Sequence, residues 1–336
     1  MNVRNSLLGV VCALALSPSA HAWDRGEAVT FARLPPGTGN PEGLTVDKHG
    51  NVYATQFDPF GDRGAIGKMI VFDDSGALVR VVTIQGSSPA LLGLGFHPTT
   101  NALLVIDFGG QQVLNVNPIT GGSKLFMKAD PGSGLNALTF DTEGNVYVSD
   151  SFEGIIWKTG PHGGTAQVWA KDESLKPHGN PPFGANGIAF NNAHDSMFVA
   201  NTGDDKIIRI PVVAGGAAGT PTEFTNSING ADGLVIDEQD NLWVCANQSD
   251  EIVVVDKTGK AIAKLGDFGG IANGEPLGFL FPASPVFSGS SLLVTNLALD
   301  TTRFGFQTID TQWTQKVKTW TVAKILRSIP AIPGRD

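Results

Sequence analysis

One short pattern, an apolar strand, a polar turn and a second apolar strand, returns along the chain at a near-constant interval. That interval limits the possible folds more than any other feature. "PEGLTVDKHGNVYAT" begins at Pro41, "LLGLGFHPTTNALLVID" at Leu91 and "LNALTFDTEGNVYVSD" at Leu135. "ANGIAFNNAHDSMFVAN" begins at Ala185, "ADGLVIDEQDNLWVCAN" at Ala231, and a weaker sixth copy, "SPVFSGSSLLVTN", at Ser284. The starts lie 50, 44, 50, 46 and 53 residues apart. The turns, such as "DKHGN" and "DTEGN", use the Gly, Asp and Asn that tolerate left-handed backbone. A second hairpin follows most copies, for example "KMIVFDDSGALVRVV" after the first and "DEIVVVDKTGKAIAKLG" after the fifth. Four strands in each unit of about 50 residues is the pattern of a β-propeller blade. The expected fold is therefore all-β, a single six-bladed β-propeller over residues 23–336. The last unit lacks a fourth strand, and "EAVTFARLPP" is a spare strand ahead of the first unit. That N-terminal strand is expected to complete the last blade and remove two exposed edges. The tail "TQKVKTWTVAKIL" fits no unit.

Residues 1–22 read differently. Arg4 precedes an apolar stretch, and small residues at Ala20 and Ala22 end it. This is the pattern of a secretory signal peptide, too short to span a bilayer. Export to the periplasm or the medium is expected, with the exported chain starting at Trp23. Cys12 falls in the signal, so Cys245 is the one remaining cysteine and no internal disulfide forms. Its setting, "LWVCAN", suits a buried core residue. The chain carries 23 basic and 32 acidic side chains, a net charge of −9, which disfavours nucleic acid as a partner. No later segment has the length of a membrane helix. A monomer acting on a small molecule is the expected form.

The first strand of each blade lines the channel of a propeller, so equivalent positions at its start form a ring. Across the copies that position holds Glu42, Leu92, Asn136, Asn186 and Asp232, with Ser284 the sixth candidate. Two carboxylates and two amide oxygens on one axis suit a divalent cation. Calcium fits an all-oxygen set best, with magnesium, manganese or zinc as alternatives. Four protein ligands leave positions open, as a catalytic site requires. The competing explanation is that Asn and Asp simply shape turns; their coincidence in four blades favours the metal. The loops joining second and third strands begin with Gln56, Asp107, Asp150, Asn201, Asn247 and Asn296. These form a second polar ring expected on the same face. The longest such loop, "FDPFGDRGAIG", offers Phe57, Phe60 and Arg63 as substrate contacts, Arg63 towards a carboxylate group. His97 sits at the turn position of Asp47, Asp141 and Asp237, on the opposite face.

From Pro41 to Asn296 the sequence resembles the regucalcin–gluconolactonase family of six-bladed propellers. The motifs are "NPEGL", "GLNALTFD", "GANGIAF" and "GADGLVID", with "FSGSSLLVTN" resembling a late family motif. Leu44 stands where the family usually has proline. The resemblance implies that Glu42, Asn136, Asn186 and Asp232 hold a divalent metal. It also implies hydrolysis of a cyclic ester, with Asp232 as the catalytic base taking a proton from the attacking water. The substrate contacts expected around them are Phe57, Arg63, Asp150, Asn201 and Asn247. Two other readings use the same scaffold: a non-catalytic, metal-stabilised ligand-binding propeller, and a lyase or condensing enzyme like the strictosidine synthases.

Overall fold

The computed structural model describes residues 24–329. The signal-peptide reading of residues 1–22 and the start at Trp23 lie outside the described residues. Six four-stranded antiparallel blades make up the body, each running from an inner to an outer strand. Blade 1 is Pro41–Val46, Val52–Gln56, Lys68–Phe72 and Leu78–Thr83. The inner strands of blades 2 to 6 are Leu91–Phe96, Leu135–Phe140, Ala185–Phe190, Ala231–Ile236 and Pro282–Ser288. Each packs against the next, and the sixth against the first, so the ring is closed. Among the described residues no helix is long and apolar enough to cross a membrane.

The sixth blade closes as the sequence suggests. Val29–Arg33 is its outer strand and pairs with Thr321–Leu326. The latter belongs to the tail that fitted no unit; it is the third strand, antiparallel to Ser291–Asn296. The intervening residues 297–320 leave the sheet and include the short turns Thr301–Phe304 and Thr311–Thr314.

Every inner strand carries the same irregularity. In blade 1 Pro41 pairs with Gln56 and Leu44 with Ala54, so two residues, Glu42 and Gly43, face the single Thr55. Equivalent shifts occur in the other five blades. A bulge of this kind re-aims a side chain, here that of the first of the two residues facing one. In blades 1, 3 and 6 a hydroxyl on the second strand satisfies the displaced backbone. Thr55 accepts from the Gly43 amide at 2.9 Å and donates to the Leu92 carbonyl of the next blade at 2.6 Å. Ser149 does the same for Ala137 and Asn186, and Thr295 for Ser284 and Glu42. Cys245 occupies this position in blade 5 and is fully buried. Burial pushes its thiol well above the ordinary range.

At the far end of the strands, Asp47, Asp141 and Asp237 staple their turns. Asp47 accepts from the Asn51 amide at 2.9 Å, the Asn51 side chain at 2.8 Å and the Tyr53 hydroxyl at 3.0 Å. Burial opposes ionisation there, but these bonds outweigh it and hold the carboxyl below its usual range. His97 serves the same turn in blade 2, accepting from Thr99 and Thr100 and bonding the Gly144 carbonyl.

Asp250 and Asp310 form a buried acid pair linking blade 5 to the 297–320 excursion. Asp250 accepts from the Phe281 amide at 2.7 Å, while Oδ2 of Asp310 has no partner. Burial, then mutual repulsion, raises Asp250 to about 8; burial raises Asp310 to about 6. Acids raised by folding are comfortable protonated, so stability falls as pH climbs from the ordinary carboxylate range and levels off above about 8. Asp310→Asn should therefore leave unfolding free energy unchanged below pH 4 and raise it by about 1–2 kcal/mol at pH 8–9. Urea denaturation across that range is the check; an equal effect at both ends would refute the pair's repulsion.

Candidate functional site

The six bulges converge on one end of the channel. The first bulge residues are Glu42, Leu92, Asn136, Asn186, Asp232 and Ala283. Register corrects the sixth position: Pro282 pairs with Asn296 as Pro41 does with Gln56, so the residue is Ala283 and not Ser284. Glu42, Leu92, Asn136, Asn186 and Asp232 line one narrow cavity, with room for about 40 Å³. That is enough for an ion with a water or two. A wider opening of about 490 Å³ lies at the other end of the channel, where Phe140, Phe190 and Phe287 give it an apolar lining.

Each polar axial residue in blades 3 to 5 is held by the residue just beyond the end of its neighbouring strand. Asn136 donates its amide NH₂ to Ser151 Oγ at 3.2 Å, and Asn186 donates to Thr202 Oγ1 at 3.0 Å. With their NH₂ groups so engaged, both amides leave their carbonyl oxygens free to accept or to coordinate. Ser151 and Thr202 in turn donate to the Ala185 and Ala231 carbonyls at 2.7 Å, fixing their own rotamers. Asn247 donates to Asp232 Oδ2 at 2.8 Å and is steadied by Gln248.

Glu42 and Asp232 are 4% exposed each, and Oε2 of Glu42 and Oδ1 of Asp232 have no hydrogen-bond donor. Neither carboxyl takes part in an ion pair with a described basic residue. Burial raises both, Glu42 further through the charge of Asp232. The hydrogen bond from Asn247, with the Asn186 side chain and the Gly233 amide close by, offsets part of the rise at Asp232. Two buried carboxyls with orphaned oxygens and no countercharge are costly unless a cation joins them. The donor set, two carboxylates and two amide carbonyls, fits a hard divalent ion.

The other expected contacts divide. Phe57 and Asn247 line this cavity. Arg63 lies in an adjoining chamber, over the Trp320 ring at 4.6 Å and 3.6 Å from Asp58. Asp150 and Asn201 do not line the cavity. Asp150 accepts from the Gly134 amide at 2.9 Å and Trp157 Nε1 at 3.0 Å. Asn201 donates to the Ser174 and Lys176 carbonyls, both at 2.9 Å. Their work is to tie down the chain entering or flanking the inner strand, as Gln56 and Asn296 also do. Nor does Asn247 belong to that ring. Ala231 pairs with Ala246, so Ala246 is the counterpart of Asp150, and Asn247 is the counterpart of Ser151 and Thr202.

Comparison with known proteins bears on this arrangement. The model of the SMP-30/Gluconolactonase/LRE-like region matches residues 113–266. That match takes in 154 of the 336 residues, and over that segment the chain is similar to the family. The segment contains Asn136, Asn186 and Asp232, while Glu42 lies ahead of it. A lactonase drp35 of Staphylococcus saprophyticus is 26% identical over 178 residues, 51% of each chain. The chain thus spans about half the length of the curated relatives it matches. A calcium-binding regucalcin of Agrobacterium tumefaciens shares the fold with a TM-score of 0.62 at 18% identity, covering 89% of this chain and 94% of its own. A gluconolactonase of Xanthomonas campestris gives 0.59 at 15%, covering 81% and 86%. These likenesses support a lactonase-like propeller. In this gluconolactonase-like ring the residues missed by sequence reasoning are Ser151 and Thr202, which orient the two amides. Their signal was present, a hydroxyl or amide one residue beyond the second strand in three successive blades.

Proposed function

We propose that the chain is an exported, divalent-metal-dependent hydrolase that opens lactone rings. The observation that carries this is the pair of buried, donorless carboxylate oxygens of Glu42 and Asp232, on one axis with the amide carbonyls of Asn136 and Asn186. These four residues would hold the cation, calcium by preference. When bound, such an ion supplies Lewis acidity towards a carbonyl oxygen and acidity to a coordinated water. Asp232 holds one oxygen against Asn247 and keeps Oδ1 free to take a proton from an attacking water. Ser151, Thr202 and Asn247 keep the axial side chains in place without reorganisation. Leu92, Phe57 and Phe281 exclude bulk water from the cavity. Export rests on the apolar stretch and small-residue end of residues 1–22.

The test is acid release from a lactone panel by protein stripped with a chelator and then given Ca²⁺, Mn²⁺ or Zn²⁺. Stripping should reduce turnover more than about a hundredfold, and one of the ions should restore it. Folded, metal-loaded protein without turnover on any lactone would favour the ligand-binding reading.

A further inference from the structure

The walls around the axial residues are as distinctive as the residues themselves. Above Glu42 and Asp232 the cavity is bounded by Phe57, Phe183, Phe281, Phe306, Leu297 and Leu299. A continuous run of rings extends from its wall. Phe183 meets Phe152, Phe152 meets Phe108 and Phe108 meets Phe57, each at 5.7 Å between centroids. Phe57 lies parallel to Phe304 at 6.5 Å, and Phe304 touches both Phe60 at 5.0 Å and Phe306 at 6.3 Å. The rings come from blades 1, 2 and 3, the loop ahead of Asn186, and the 297–320 excursion of blade 6. Phe60, Phe152 and Phe304 are 45%, 42% and 36% exposed. These exposed rings pack on Phe57, Phe183 and Phe306 of the cavity wall, and exposed aromatics grouped beside a cavity mark a surface that a ligand covers.

The polar groups in the walls are already engaged. Ser151 and Thr202 each serve an axial amide and a backbone carbonyl. Asn247 is bound at both ends, and Thr301 bonds Thr311 at 3.2 Å. Few donors or acceptors remain for a polyol, whose hydroxyls would be dehydrated without replacement. Arg63 and Arg303, the candidates for an anionic substituent, line the adjoining chamber and are paired with Asp58 and Asp62.

We infer that the substrate is a lactone bearing an alkyl or aryl substituent, seated between Phe183 and the Phe304–Phe306 edge, and not a polyhydroxylated sugar lactone. This rests on the lactone-opening reading above. The carbonyl oxygen of the ester points to the axial residues in place of a water, while the lactone ring and its apolar substituent lie outward along the phenylalanines.

δ-Decalactone and D-glucono-δ-lactone share a six-membered ring and differ in what it carries, so they separate the two classes. With divalent cation present, kcat/KM for δ-decalactone should exceed that for the sugar lactone by about a hundredfold or more. Phe306→Ala should shrink that ratio about tenfold, mainly by raising KM for δ-decalactone. Equal rates, or preference for the sugar lactone, would overturn the inference while leaving lactone hydrolysis intact. If neither is hydrolysed, the wider lactone panel decides the hydrolase reading, and titration calorimetry with the same two compounds decides the inference separately. Tighter binding of δ-decalactone supports it; tighter binding of the sugar lactone, or no binding of either, overturns it.

Discussion

Asp232→Asn should lower lactone hydrolysis at least about a thousandfold and, in the same protein, raise the melting temperature of the metal-free form. The two effects have one origin. Asp232 is 4% exposed, sits within electrostatic reach of Glu42, and has a donorless Oδ1. Without a cation, the two carboxyls repel each other in a medium that solvates neither well. Asparagine keeps an acceptor for Asn247 and removes the charge, so the metal-free ring relaxes. The same change removes half of the site's formal charge, so cation binding weakens. Wild-type protein should gain melting temperature on adding Ca²⁺ in proportion to the logarithm of its concentration, and the variant should not. Calorimetry with and without cation, beside a hydrolysis assay, tests all three outcomes. A variant that still melts higher with Ca²⁺ and still turns over would remove Asp232 from the site.

The second large effect concerns the glycine that follows the axial residue. At Gly233 an added Cβ would stand 2.4 Å from the Ala283 carbonyl and 2.8 Å from Pro285 of the next blade. At Gly43 it would meet the Leu92 carbonyl at 2.3 Å, and at Gly187 the Asp232 carbonyl at 2.5 Å. The nearest neighbours are backbone carbonyls, and the Pro285 contact is a ring atom fixed to the backbone, so none can swing aside. Gly233→Ala should destabilise the protein by about 3 kcal/mol or more. Gly160, whose nearest neighbour to an added Cβ lies 4.0 Å away, is the control. Gly160→Ala should be neutral or slightly stabilising. Equal urea midpoints for the two variants would mean that the blades do not pack through these bulges.

The blade repeat was legible because each copy keeps its polar turn and its alternating strand. The axial oxygens were legible too, since they recur at one offset from those turns. Distinguishing Asn247 from Asp150 needed the strand register. Both look like polar residues opening a loop, but blade 5 puts Ala246 where the others put a loop tie. Blade 6 hid its axial position because Ala283 carries no chemistry. Asp150 and Asn201 misled for a related reason. Residue type suggested a polar rim, while their partners are amides and carbonyls that only the folded loops bring to them. The phenylalanine ring was invisible as a unit, because its members are scattered from Phe57 to Phe306 and share no repeat position.

The clasp between Val29–Arg33 and Thr321–Leu326 also has a temporal side. A chain emerging from its N-terminus makes the outer strand of the last blade first and must hold it unpaired until almost everything else has been synthesised. Contacts so distant in sequence form slowly. Blades 1 to 5 can stack in order, but Glu42 meets the span of blades that leads to Asp232 from its other side only when blade 6 fills the gap. The charged centre is therefore assembled by the closing step itself, and any partly built ring lacks it.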